Sequence, residues 1–127
     1  MKILVAEDEA ALRNTIAAAL ALSGYQVMGA ESGCEALVHV QAARPDLVLL
    51  DLQMPEMDGW EFLRRFRARP DCADIPVVVM SAAYRVAVDD LDIQAFFEKP
   101  FDLDLLLDTI DGLLAVGQVP VGVGDGT

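Results

Sequence analysis

The sequence predicts an α/β fold, a five-stranded parallel sheet covered by helices on both faces, and three observations predict it. Short continuous apolar runs recur at Ile3 to Ala6, Leu47 to Leu50 and Val77 to Met80, the last rich in β-branched residues, as strands buried on both faces require. The segments between them carry apolar residues at helical spacing. The resulting order, βαβαβαβαβα, folds into a parallel sheet because strand-helix-strand crossovers are right-handed.

Each element has its own signal. The first strand runs into two acids, Glu7 and Asp8. A first helix follows, with Leu12, Ile16, Ala19 and Leu20 on one face and Gly24 as its stop. Tyr25 to Ala30 is the weaker, edge-like strand. Ser32 opens a second helix with Glu35 three residues on, a capping-box pattern. Leu47 to Leu50 then drive straight into Asp51, and the loop behind it cannot continue as strand or helix: Pro55 removes a donor and restricts Met54, and Gly59 permits a turn that a bulkier residue would strain. Asp58 caps a third helix with Glu61 following; Phe62, Leu63 and Phe66 form its apolar face, and Arg64, Arg65 and Arg67 the other, toward Pro70. The last helix has the clearest stripe, Leu103, Leu106, Leu107, Ile110, Leu113 and Leu114 opposite Asp104, Asp108 and Asp111. Residues 1–115 are thus read as one domain, and 116–127, glycine-rich and without period, as a flexible tail or severed linker.

Composition narrows the function. With 127 residues, 54% of them hydrophobic, the chain suits a single packed domain. Its 21 acidic against 9 basic residues give a net charge of -12, which argues against direct nucleic-acid binding and favours cations or basic partner surfaces. Cys34 and Cys72 lie 38 positions apart without a CxxC, and His39, read as solvated, is the single histidine, so neither a zinc site nor a disulfide framework is indicated. Both cysteines are expected to be reduced packing residues. No apolar run approaches the roughly 20 residues of a membrane span, and the first strand begins at once, so no membrane insertion and a cytoplasmic location are expected.

The run DLVLLDLQMPEMDGW, residues 46–60, resembles the phosphoacceptor segment of response-regulator receiver domains: an aspartate, then MP at the third and fourth positions, then DG. KILVAEDEAALR resembles the first receiver strand with its acidic pair, VVVMSAA a strand ending in a hydroxyl residue, and FFEKPF the lysine before proline. These landmarks stand in the family's order and span residues 2–101. The resemblance implies a three-layer, doubly wound (βα)5 fold, flavodoxin-like and CheY-like, with strand order 2-1-3-4-5 and a ligand crevice at the carboxyl ends of strands one and three, beside the topological switch. It implies that Asp51 accepts a phosphoryl group from a phosphohistidine on a sensor histidine kinase or histidine phosphotransfer protein, and that a conformational switch then signals to a downstream effector protein. Such a chain assists its own phosphorylation and dephosphorylation and is not an enzyme.

The resemblance also assigns the residues. Asp8, Asp51 and the backbone carbonyl of Gln53 hold Mg2+, with Glu7 acting directly or through water. Gathered carboxylates repel unless a cation sits among them, and hard oxygen donors suit magnesium. Lys99 and Ser81 face two phosphoryl oxygens, so catalysis is positioning and charge neutralisation. Ser81 and Phe96 form the switch, and the bond from Lys99 to Pro100 is expected to be cis. Phe97 is expected to be plain core. There are departures: serine replaces the commoner threonine at 81, phenylalanine the commoner tyrosine at 96, and the 18 positions from Ser81 to Lys99 fall short of the family's spacing by about one helical turn. The fourth helix is therefore expected to be shortened, and the chain a monomer or weak homodimer.

Taken singly, these residues have plainer roles: Asp51 as a cap or turn former, Glu7 and Asp8 as loop solvation, Lys99 as a surface charge, Ser81 as a cap. The ordered set outweighs them. The competing readings are a Mg2+-dependent phosphohydrolase with an aspartyl nucleophile, for which Gln53 stands where a second acid belongs; an unphosphorylated docking module; and a receiver fragment of a larger regulator or hybrid kinase.

Overall fold

The apolar runs become the interior of one sheet. The computed structural model describes residues 1–82 and 92–116, in the order β1 (Lys2–Ala6), α1 (Ala10–Leu22), β2 (Gln26–Ala30), α2 (Gly33–Ala42), β3 (Leu47–Asp51), α3 (Gly59–Arg67), a 3-10 turn (Pro70–Cys72), β4 (Val77–Ser81), β5 (Ala95–Glu98) and α4 (Leu103–Val116). All strand pairs are parallel and the order is β2-β1-β3-β4-β5. The shortened helix expected between β4 and β5 falls on residues 83–91, outside the described residues, as does the tail past Val116.

Alternation across the strands explains why the runs are apolar at every position, since each face packs on its own helices. Leu4, Val48, Leu50 and Val79 meet Val40, Phe62 and Phe66 of α2 and α3. Ile3, Val5, Leu49 and Met80 meet Ile16, Leu20, Leu106 and Ile110 of α1 and α4. A fully buried Leu, Ile or Phe contributes about 1.5–3 kcal/mol relative to exposure, so these two layers fix the register more strongly than any local propensity.

The caps form as the sequence predicts, with one variation. Asp58 accepts from the Glu61 N–H at 3.0 Å, and Ser32 from the Glu35 N–H at 3.2 Å. Glu35 reaches back one residue further than a capping box requires, accepting from the Glu31 N–H at 2.6 Å. Gly24 takes a positive φ of 95° where α1 stops.

Three expectations need correction. Arg67 does not share the solvated face of Arg64 and Arg65: its side chain is 11% exposed. It is the last residue of α3, so its guanidinium swings past the helix end and donates to the carbonyls of Cys72 (2.9 Å), Ile75 (2.7 Å) and Asp92 (2.9 Å). Of the two free cysteines only Cys72 is buried; Cys34 lies exposed in the first turn of α2. His39 is half-buried rather than solvated.

Candidate functional site

Adjacent pairing of β1 and β3, with Ala6 opposite Leu50, brings the residues that follow these strands to one edge of the sheet. Glu7 is fully buried there and Asp51 nearly so, whereas Asp8 is exposed. Carboxylate oxygens of Glu7, Asp8 and Asp51 lie within 4.8 Å of one another. Lys99, just past β5, points its ammonium among them, 2.6 Å from Glu7 Oε1 and 3.2 Å from Asp51 Oδ2. The two remaining oxygens are held by main chain: Glu7 Oε2 accepts from the Glu9 N–H at 3.0 Å, and Asp51 Oδ1 from the Gln53 N–H at 3.0 Å.

The electrostatics follow from three acids facing one ammonium. Burial pushes the Glu7 carboxyl above its usual value, and the hydrogen bond from Lys99 offsets only part of that. Burial opposes the Lys99 charge, yet hydrogen bonds and charges from Glu7 and Asp51 outweigh it and hold its pKa above the usual lysine value. Both shifts have the same sense but different causes, burial for Glu7 and the facing carboxylates for Lys99. The donor set, three carboxylates with hard oxygens, fits a divalent cation such as magnesium.

Other predicted residues fall into place around this centre. Ser81 is buried at the end of β4, and its carbonyl accepts from the Lys99 N–H at 2.8 Å. The bond from Lys99 to Pro100 is cis. Gln53 is exposed just beyond Asp51. Phe96 is half-buried against the α2 and α3 side of the core. Phe97 packs on the opposite face, edge-on to Phe101 at 6.0 Å. Beside the acids lies a cavity of about 570 Å³, lined by Leu12, Thr15, Pro100, Phe101 and Leu103 and reaching Lys99.

The loop behind Asp51 is held by close approaches that sequence reasoning misassigned or missed. Gly59 was expected to permit a turn that a bulkier residue would strain; its φ is ordinary, and the strain would come from close approach, since a Cβ would stand 2.3 Å from the Asp51 carbonyl oxygen. Gly33 plays the same part at α2, where a Cβ would meet the Met57 carbonyl at 2.5 Å. The positive φ in this loop belongs to Glu56, at 65°, where a Met57 N–H to Pro55 carbonyl bond of 2.8 Å closes a γ-turn. Arg13, whose guanidinium donates to the Glu7 carbonyl at 2.8 Å, was also missed.

Comparison with known proteins agrees with this geometry. The family model described as "Response regulator receiver domain" matches residues 3–111. Response regulator MprA of Mycobacterium avium (strain 104) is 38% identical over 118 residues, covering 90% of this chain and 51% of that protein. Its counterpart in Mycobacterium leprae (strain TN) is 39% identical over the same length, with the same shares. The chain therefore spans about half the length of the curated relatives it matches. Among solved structures, the signal receiver domain of a signal transduction histidine kinase from Syntrophus aciditrophicus superposes with a TM-score of 0.85 at 28% identity, covering 99% of this chain and 98% of that one. Vibrio cholerae chemotaxis protein CheY4 gives a TM-score of 0.80 at 28% identity, covering 87% and 96%.

Proposed function

The chain belongs to the response-regulator receiver domain family of two-component signalling, and from that premise we propose that Asp51 is its phosphoacceptor. The observation that carries this reading is the buried Asp51 carboxylate, 3.2 Å from the Lys99 ammonium, with Glu7 and Asp8 oxygens within 4.8 Å. Asp8, Asp51 and the Gln53 carbonyl would hold Mg2+, with Glu7 beside it, and the ion would supply charge neutralisation of a phosphoryl oxygen.

An Asp51 oxygen attacks the phosphorus of a partner's phosphohistidine. The P–N bond breaks, its electron pair stays on the imidazole, and an acyl phosphate forms. Little covalent help is needed from the protein. Its work is to place the carboxylate in line, to offer the Lys99 ammonium to one phosphoryl oxygen and to offer the Ser81 hydroxyl to another. Ser81 and Phe96 then carry the switch to an effector protein. The chain assists its own phosphorylation and hydrolysis without turning over a free substrate, and it operates with its kinase in the cytoplasm. Among the described residues no helix is long and apolar enough to cross a membrane.

The donor is a sensor histidine kinase or a histidine phosphotransfer protein. The cavity bounded by Leu12, Phe101 and Leu103 adjoins Lys99 and provides apolar surface for such a partner beside the acceptor. Residues 1–115 form the receiver unit. The phosphohydrolase alternative needs an acid two positions after Asp51, where Gln53 offers an amide.

The deciding experiment is an intact mass after incubation with magnesium and acetyl phosphate, run beside Asp51→Asn. One phosphoryl adduct in the native chain and none in the variant is expected. Labelling that persists in a folded Asp51→Asn protein would overturn the assignment.

A further inference from the structure

Arg13 lies outside the acidic and lysine landmarks of the site, yet its side chain reaches the crevice. It stands in the first turn of α1, and its Nη1 donates to the Glu7 carbonyl at 2.8 Å. The stem gets there by lying across β2 at Gly29, where a Cβ would stand 3.4 Å from Arg13 Cδ and 3.7 Å from Nε.

With that bond, every polar atom of Glu7 is held. Its N–H donates to the Ala30 carbonyl at 2.9 Å, Oε1 and Oε2 are taken by Lys99 and the Glu9 N–H, and the carbonyl is taken by Arg13. The Glu7 carbonyl belongs to the peptide that joins Glu7 to Asp8, so fixing that oxygen fixes the plane from which Asp8 projects. Asp8 itself is exposed, and among the described residues its carboxylate takes part in no hydrogen bond. Its direction rests on the backbone.

We propose that Arg13 is a positioning residue for the cation site: its guanidinium locks the Glu7 to Asp8 peptide so that the Asp8 carboxylate faces Asp51, and Gly29 is the seat that lets the arginine stem reach. This rests on the reading of Glu7, Asp8 and Asp51 as a magnesium site. A purely electrostatic role has the opposite sign, because removing a nearby positive charge favours binding of a divalent cation. The direction of the change therefore separates geometry from charge.

The test is a calorimetric magnesium titration of the native chain, Arg13→Met, Gly29→Ala, Gly29→Val and the Arg13→Met/Gly29→Val pair, with melting in EDTA as the control for folding. Arg13→Met keeps the apolar stem and loses the donor. Affinity should fall about tenfold, the lower end of what losing an outer partner costs a metal site. Gly29→Val keeps the guanidinium but fills its seat, and should weaken magnesium comparably while the metal-free melt holds or rises, valine being the better strand former. Gly29→Ala, whose methyl fits at ordinary contact, should bind as the native chain does. The double variant should be no worse than the weaker single one. Unchanged or tighter magnesium binding in Arg13→Met, native binding in Gly29→Val, or additive losses in the pair would each overturn the proposal. A native chain that binds no magnesium overturns the functional reading with it, whereas native binding beside an unaffected Arg13→Met overturns this inference alone.

Discussion

Replacing Gly59 by alanine inserts one methyl group into the junction between β3 and α3. The added carbon would stand 2.3 Å from the Asp51 carbonyl oxygen and 2.7 Å from Leu52 Cα, against ordinary contact near 3.4 Å. Both atoms are backbone, so no side chain can swing aside, and α3 must part from the end of β3 by about 1 Å. The Gly59 N–H to Leu52 carbonyl bond, now 3.0 Å, lies in the same junction and lengthens. Overpacking of this kind costs about 1–3 kcal/mol; alanine's better helix propensity returns about 1 kcal/mol at most. A net loss of about 1–2 kcal/mol is expected in urea unfolding. The effect on labelling by acetyl phosphate should be larger, since the displaced backbone is that of Asp51, and a misplacement of about 1 Å costs a reaction roughly 100-fold. A variant as stable as the native chain would refute the close-packing argument. Lost stability with an unchanged labelling rate would refute its connection to the acceptor.

Arg67→Met should cost about 2–4 kcal/mol in urea unfolding, because it strips the donor from the Cys72, Ile75 and Asp92 carbonyls together; Arg64→Met, on the exposed face, should change nothing measurable, and equal effects would refute the distinction. Tyr25 donates to Asp111 at 2.5 Å, and burial together with that carboxylate pushes its pKa from 10.0 up to about 12. The folded value lies above the unfolded one, so this stabilisation is complete below pH 10 and disappears as pH rises through about 12. Tyr25→Phe should lower stability at neutral pH and flatten that alkaline decline, and an unchanged slope in pH-dependent unfolding would refute the link. Lys99→Met should bind magnesium more tightly than the native chain in calorimetry while labelling more slowly; weaker binding would show that the lysine supports the site rather than competing for it.

Much of this was legible in the sequence because it depends on local pattern. Continuous apolar runs mark strands buried on both faces, Ser32 and Asp58 announce their helices by the spacing to Glu35 and Glu61, and Asp51 ends a strand under a proline-interrupted loop. What stayed hidden depends on how elements meet. Helical periodicity puts Arg67 on a polar face, but it cannot report that α3 ends there and frees a long side chain to reach the loops before β4 and β5. Gly59 looks like a turn residue until the backbone of Asp51 is seen beneath it. The partners of Glu7 are Lys99, 92 positions away, and Arg13, whose stem lies across β2 at Gly29. The same periodicity cannot tell that the helix carrying Cys34 turns that residue outward.

The crevice divides its oxygens in a way that bears on the part Lys99 plays. Glu7 and Asp51 each commit one carboxylate oxygen to a backbone N–H and the other to Lys99. The main-chain bonds fix the rotation of both carboxylates, so the Glu7 and Asp51 oxygens free of main-chain contact are the two that meet the ammonium, while the Asp8 carboxylate takes part in no hydrogen bond among the described residues. On the proposed reading Glu7, Asp8 and Asp51 would hold a divalent ion, and Glu7 and Asp51 would then share their oxygens between that ion and Lys99. On the reading proposed above, the Lys99 ammonium is also the group that would meet an incoming phosphoryl oxygen. Lys99 also borders the cavity beside α1, and its backbone is anchored by the Lys99 N–H donating to the Ser81 carbonyl, so it can shift its ammonium without moving its backbone. Lys99 would thus be able to turn from the acids toward a phosphoryl oxygen while its backbone stays in place.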